Sequence, residues 1–156
     1  MTPLRSFVTL SVVIASVASH PVPTPLVYPP YPRGYHLESG VLIPGSAGKH
    51  EYALDWLSHG NHTEIWFGRD VLTSPEPTWE LQDSLILPAY PRSQVVVMAE
   101  CSLRGSPDFE LIALAKQEDA DSFRTIVRAW RADRTTNRIV QVAVAGIACA
   151  NEGYGV

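Results

Sequence analysis

Residues 93–101 read "SQVVVMAEC", five consecutive apolar side chains closed by an acidic residue and a cysteine. A short apolar run with no polar alternation is the pattern of a strand covered on both faces, so this stretch predicts a buried central strand that delivers Cys101 at its end. The other cysteine, Cys149, lies in "IVQVAVAGIAC" at 139–149, an apolar run expected to form the last strand. An even number of cysteines in a chain that leaves the reducing cytosol is expected to pair. A Cys101–Cys149 disulfide would close a loop of about 49 residues and stabilise the fold by about 4 kcal/mol. A redox pair or a metal-thiolate pair is the alternative, but C-x-x-C spacing is absent and no histidine neighbours either cysteine.

Export is read from the start of the chain. Residues 1–19, "MTPLRSFVTLSVVIASVAS", carry one early arginine, an apolar-and-small centre at 7–17 and a small-residue end, the three parts of a secretory signal peptide. The small-residue rule permits cleavage after Ala18 or after Ser19, and the expected location is secreted or periplasmic. The apolar centre is shorter than the roughly 20 residues that cross a bilayer, and no later segment offers such a run, so no membrane span is expected. The formal charge of −4 becomes −5 when Arg5 leaves with the leader. An acidic chain has no electrostatic case for nucleic acid, whose binding relies on cationic neutralisation of phosphates. Arg124, Arg128, Arg131, Arg134 and Arg138 form the one basic concentration, expected to be a solvated face.

Residues 20–33, "HPVPTPLVYPPYPR", hold six prolines in fourteen positions. Proline fixes φ and removes a backbone donor, so this segment predicts an extended arm, with Tyr28 and Tyr31 available to lay their rings on the surface of a single domain at 34–156. Within that domain "HEYALDWLSHGNHTEIWFGRD" predicts a hairpin with strands at 52–57 and 63–67, joined by a polar turn containing a glycine. "TWELQDSLILP" gives a further run flanked by prolines, and "ELIALAK" returns the chain after "LRGSPDF". Residues 119–132 break the pattern. Phe123, Ile126, Val127 and Trp130 fall at i, i+3, i+4 and i+7 with arginines opposite, and Asp121 or Ser122 could cap the first turn. The expected fold is therefore α+β and strand-dominated, a mostly antiparallel sheet with one amphipathic helix at about 119–132 and one disulfide.

Candidate chemistry is sparse. His59, His62 and Glu64 in "SHGNHTE" carry nitrogen and oxygen donors of the kind that bind zinc or copper, and they are the candidate metal ligands. Two solvent-facing histidines at a hairpin turn are the ordinary alternative, and "HEYAL" from His50 lacks the second histidine of a metalloprotease helix. His20 would chelate copper through a free N-terminus only if cleavage follows Ser19. No serine-nucleophile elbow, phosphate-cradling loop or dinucleotide fingerprint is present, and sixteen acidic residues make close carboxylates such as Glu100 and Glu110 unremarkable. "NHT" at Asn61 would be a glycosylation acceptor in a eukaryotic secretory pathway.

"AWRADRTTNRIV" at 129–140 followed by "GIACANEGYGV" at 146–156 resembles small exported bacterial proteins of unknown function, over about 101–156. The resemblance implies export and paired cysteines and brings no activity with it. Binding is accordingly preferred to catalysis: an exported binding or inhibitor-type module, without catalytic residues or cofactor, acting on a protein or cell-envelope partner. Trp56, Trp66, Trp79, Tyr90 and Tyr154 are candidate anchors, since tryptophan and tyrosine concentrate binding energy at interfaces. Asn151, Glu152 and Tyr154 behind the last cysteine are either a polar contact surface or a closing tail. The alternative function is a small metal-binding protein or hydrolase built on His59, His62 and Glu64.

Overall fold

The computed structural model describes residues 25–45, 50–71 and 77–155, so the expected leader, His20 and the first part of the arm lie outside the described residues. Thirteen strands and no helix occur among these residues. Among the described residues no helix is therefore long and apolar enough to cross a membrane, a statement that does not bear on β-barrels.

Five strands build the first sheet: β1 (Val27–Tyr28), β2 (Tyr35–Pro44), β3 (His50–His59), β4 (His62–Asp70) and β5 (Trp79–Ile86). Their order is β1-β5-β4-β3-β2, antiparallel throughout. The expected hairpin is β3 and β4, in which His59 opposes His62 across the turn formed by Gly60 and Asn61. Gly60 has φ +60°, a value that a side chain disfavours and a tight hairpin needs.

The second sheet has the order β12-β11-β9-β6, from β6 (Gln94–Met98), β9 (Leu111–Lys116), β11 (Ile126–Asp133) and β12 (Arg138–Val142). It is the middle layer. Val96, Met98, Ile112, Leu114, Trp130 and Ala132 pack on Ile43, Tyr52, Leu54, Ile65 and Phe67 of the first sheet. Val97, Leu111, Ala113, Ala115 and Ala129 face the other way, towards Cys101, Phe123, Ile147 and Cys149. "SQVVVMAEC" lacks polar alternation because β6 is covered on both sides, as its apolar run predicts. Its place in the hydrogen-bonded order is nonetheless an edge, and β9 and β11 are the interior strands. Complete burial of a side chain such as Phe67 contributes about 1.5–3 kcal/mol relative to leaving it in water.

The third sheet is small, with order β10-β13-β7-β8, from β7 (Cys101–Leu103), β8 (Ser106–Pro107), β10 (Ser122–Phe123) and β13 (Ile147–Ala150). Cys101 and Cys149 sit directly opposite each other on β7 and β13 and form the disulfide, with Cα atoms 3.9 Å apart. The bridge does not tie the end of the "VVVMAE" strand, since Cys101 opens a new strand after Ala99 turns the chain with φ +59°.

Two other expectations need correction. The helix expected at 119–132 is absent: the segment forms β10 and β11. Ala129 packs on one side of the sheet while Trp130 and Ala132 pack on the other, so both faces are covered. The apparent helical stripe arises because the partners of Ala115 and Leu114 on β11 are Ile126 and Arg128, and the extra residue, Val127, bulges out 38 % exposed. The β-branched run Thr125, Ile126 and Val127 also favours an extended backbone. The run at 139–149 is likewise two strands. Gly146, at φ +80°, lets the chain leave the second sheet and enter the third.

Candidate functional site

The outer face of the first sheet is where the arm lands. Tyr28 is fully buried there among Ala53, Leu57, Trp66 and Trp79, with Tyr31 and Tyr35 against the same cluster. Tyr28 meets Trp66 edge-on at 5.1 Å, and Tyr31 lies 5.4 Å from Tyr28. Such aromatic pairs contribute about 0.5–1.5 kcal/mol each beyond their area. The sequence makes room with a glycine: a Cβ on Gly68 would lie 2.8 Å from the Trp79 Cβ and collide with the Tyr28 hydroxyl. That hydroxyl is buried without a hydrogen-bond partner among the described residues.

Asp55, 5 % exposed, accepts a hydrogen bond from the Tyr31 hydroxyl at 2.9 Å. Its other flank is Gly40 of β2, where an added Cβ would lie 2.7 Å from Oδ1. Burial raises this carboxyl above its ordinary value of 3.8, and the Tyr31 hydrogen bond offsets part of the rise. The same burial, with the Asp55 charge, pushes the Tyr28 and Tyr31 hydroxyls up. Because the folded carboxyl holds its proton more tightly than the unfolded one, Asp55 contributes stability fully below 3.8 and loses it as pH rises through the folded value. The groups facing Asp55 from the arm, Tyr28 and Tyr31, stay neutral in that range. Glu118 and Asp133, both part-exposed, are held below their ordinary values by hydrogen bonds and act in the opposite sense. Comparison with Asp55→Asn therefore isolates Asp55: melts run from pH about 4 to neutral should show the wild type losing ground to the variant. Parallel curves would contradict this assignment.

The hairpin residues are engaged separately. Glu64 is buried and accepts from Trp66 Nε1 at 3.0 Å, while the His59 ring stacks on Tyr35 at 4.2 Å. His62 is exposed at the turn. Among the described residues no group of three or more His, Cys, Asp or Glu side chains is placed to hold a metal ion. His59, His62 and Glu64 share a hairpin end without converging as a ligand set.

Asp108 and Glu110 are neutralised by arginine. Arg131 forks onto Asp108 and Glu110, and Arg134 Nε donates to Glu110 while its Nη1 donates to the Pro44 carbonyl at 3.0 Å. Glu110 therefore belongs to an ion-pair network and is not paired with Glu100. Arg131 and Arg134, read as part of a solvated face, hold the segment before β9 to β11 and to the end of β2. The tail closes the chain: Asn151 Nδ2 donates to the Glu118 and Ala120 carbonyls, and its backbone N donates to Asp121. Of the candidate anchors, Trp66 and Trp79 are core, Trp56 and Tyr90 pack against the main core, and Tyr154 is exposed. Beside Arg124 on the third sheet lies an open groove of about 320 Å³ lined by Ser102, Gly105, Gly146, Ile147 and Ala148, with no buried polar side chain aimed into it.

The feature that the sequence patterning misses is β2. It is ten residues long and ends the first sheet, with no strand on its far side among the described residues. Leu37 and Leu42 stand 48 % and 47 % exposed. They point to the same outer face, since they oppose Leu57 and Ala53, both of which belong to the arm-facing cluster. A bulge between Leu37 and Ser39 is what brings them there.

No family model matches the chain, and no solved structure matches it. A stretch of 42 residues is 50 % identical to coproporphyrin III ferrochelatase of Bacillus subtilis, covering 27 % of this chain and 13 % of that enzyme. The chain thus spans a small part of the length of the relative it matches, and the likeness shows no family.

Proposed function

We propose that the chain is an exported binding module which takes an extended segment of a protein or cell-envelope partner onto the free edge of β2. The observation that supports this reading is the edge itself: a ten-residue strand whose backbone groups turned away from β3 meet no other strand among the described residues, free of lysine and arginine, and carrying two exposed leucines on one face. Proteins ordinarily blunt such an edge with charge, brevity or a covering element, because it templates pairing with another chain. Strand addition supplies affinity through main-chain hydrogen bonds and specificity through alternate side chains. The segment that fits is extended and apolar at the positions opposing Leu37 and Leu42. Layers packed on both faces of the middle sheet, closed by the disulfide, keep the edge preformed and limit the ordering cost of binding.

Mature protein used as bait on envelope or culture fluid, beside the variant Leu37→Lys/Leu42→Lys, tests the reading. Both positions are half exposed, so the variant should melt within about 1 kcal/mol of wild type. The expected result is a partner retained by wild type and lost by the variant; equal retention would contradict the assignment to β2.

A further inference from the structure

We infer that a second copy of this chain also occupies β2, through an antiparallel β2–β2 pair related by a two-fold axis at Gly40. This inference rests on the reading of β2 as a strand-accepting edge, and the argument for it is the self-complementarity of the strand. Pairing of identical antiparallel strands about an axis normal to the sheet requires residues equally spaced from the axis to share a face. On the far side of β2, β3 fixes those faces: Leu37, Gly40 and Leu42 oppose Leu57, Asp55 and Ala53, while Ser39, Val41 and Ile43 oppose Trp56, Leu54 and Tyr52. The bulge makes Leu37 and Glu38 share one position along the strand, so Leu37 and Leu42 are each two positions from Gly40.

The axis at Gly40 then sets Leu37 of each copy opposite Leu42 of the other, twice over and on one face. The two exposed leucines of β2 are covered by the same operation, and Gly40, which carries no side chain, lies at the crossing. Ser39 falls opposite Val41 of the second copy, and no like charges are set against each other. Among the described arm residues, Val27–Tyr28 pair with β5 at the opposite edge and Tyr31 lies on the outer face against Asp55, whereas the second copy adds in the plane of the sheet beyond β2. The product is one continuous ten-stranded sheet across two copies, in which the dimer hides the edge that a partner strand would use.

Sedimentation velocity on mature, disulfide-intact protein tests the proposal across a concentration series. Wild type is expected to reach the dimer mass. Leu37→Lys or Leu42→Glu alone should weaken dimerisation about 100-fold or more, since each removes both leucine pairs. The double variant Leu37→Lys/Leu42→Glu should recover it, because opposite charges then face each other across the axis. Circular dichroism and melting of each variant confirm that the fold is kept. Wild type that stays monomeric at every concentration, or dimers that survive the single variants, would overturn the proposal, as would a folded double variant that remains monomeric. If dimerisation fails these tests while β2 substitutions still abolish partner capture, the second copy is excluded and the strand-accepting edge stands. If β2 substitutions affect neither, both readings fall.

Discussion

Replacing Cys101 and Cys149 together with alanine lowers the unfolding free energy by about 4 kcal/mol, the chain-entropy value for a loop of this length. The two cysteines are 48 residues apart in sequence. The loss does not spread evenly. Third-sheet strands are two to four residues long, too short to hold a sheet by themselves, and they depend on the bridge and on packing against Ala113, Ala115 and Ala129. Denaturant titration followed by amide exchange should show β7, β10 and β13 opening first, with β4, β9 and β11 protected to the end. A variant that unfolds at the wild-type denaturant concentration would show that the sulfurs contribute little beyond their volume.

Trp130→Ala is the second large effect, about 3–5 kcal/mol, because the indole sits 6 % exposed between the first two sheets and leaves a cavity there. Val127→Ala serves as the contrast. An amphipathic helix over this segment would bury both residues in one stripe, and both truncations would be costly. With Val127 raised on a bulge, its truncation stays within about 0.5 kcal/mol. Urea melts of the two variants decide it, and comparable losses would favour the helix.

That contrast shows why parts of the fold were legible in the sequence and others were not. Unbroken apolar runs at β6 and β9, and the turn between β3 and β4, are local signals that burial reinforces. The cysteine pairing is legible from the even cysteine number and the expected export, although the sheet that carries it is not. Residues 119–132 mislead because a single bulged residue converts a two-residue period into spacings of three and four, which composition does not reveal. β2 is missed for a related reason: its bulge breaks the alternation, and an edge strand with both faces partly open carries a weak pattern. The run at 139–149 looks continuous because both pieces are apolar, and only Gly146 marks the place where the chain changes sheets.

The candidate site follows the same logic. Histidines attract notice in a sequence, yet His59 and His62 end in a stacked ring and a solvent-facing turn. Tryptophans attract notice as anchors, yet Trp66 and Trp79 form the floor under the arm. An open edge carries its chemistry in the backbone, which every residue shares, and is visible only once the neighbouring strands are known.

Residue-resolved amide exchange of the disulfide-intact protein, with and without the captured partner, tests most directly whether β2 accepts a strand. Protection should appear at alternate amides of residues 36–43 of β2, those pointing away from β3, while exchange in β4 and β9 is unchanged. Protection at the His59–His62 turn or around the Arg124 groove, with β2 exchanging as in the free protein, would contradict it.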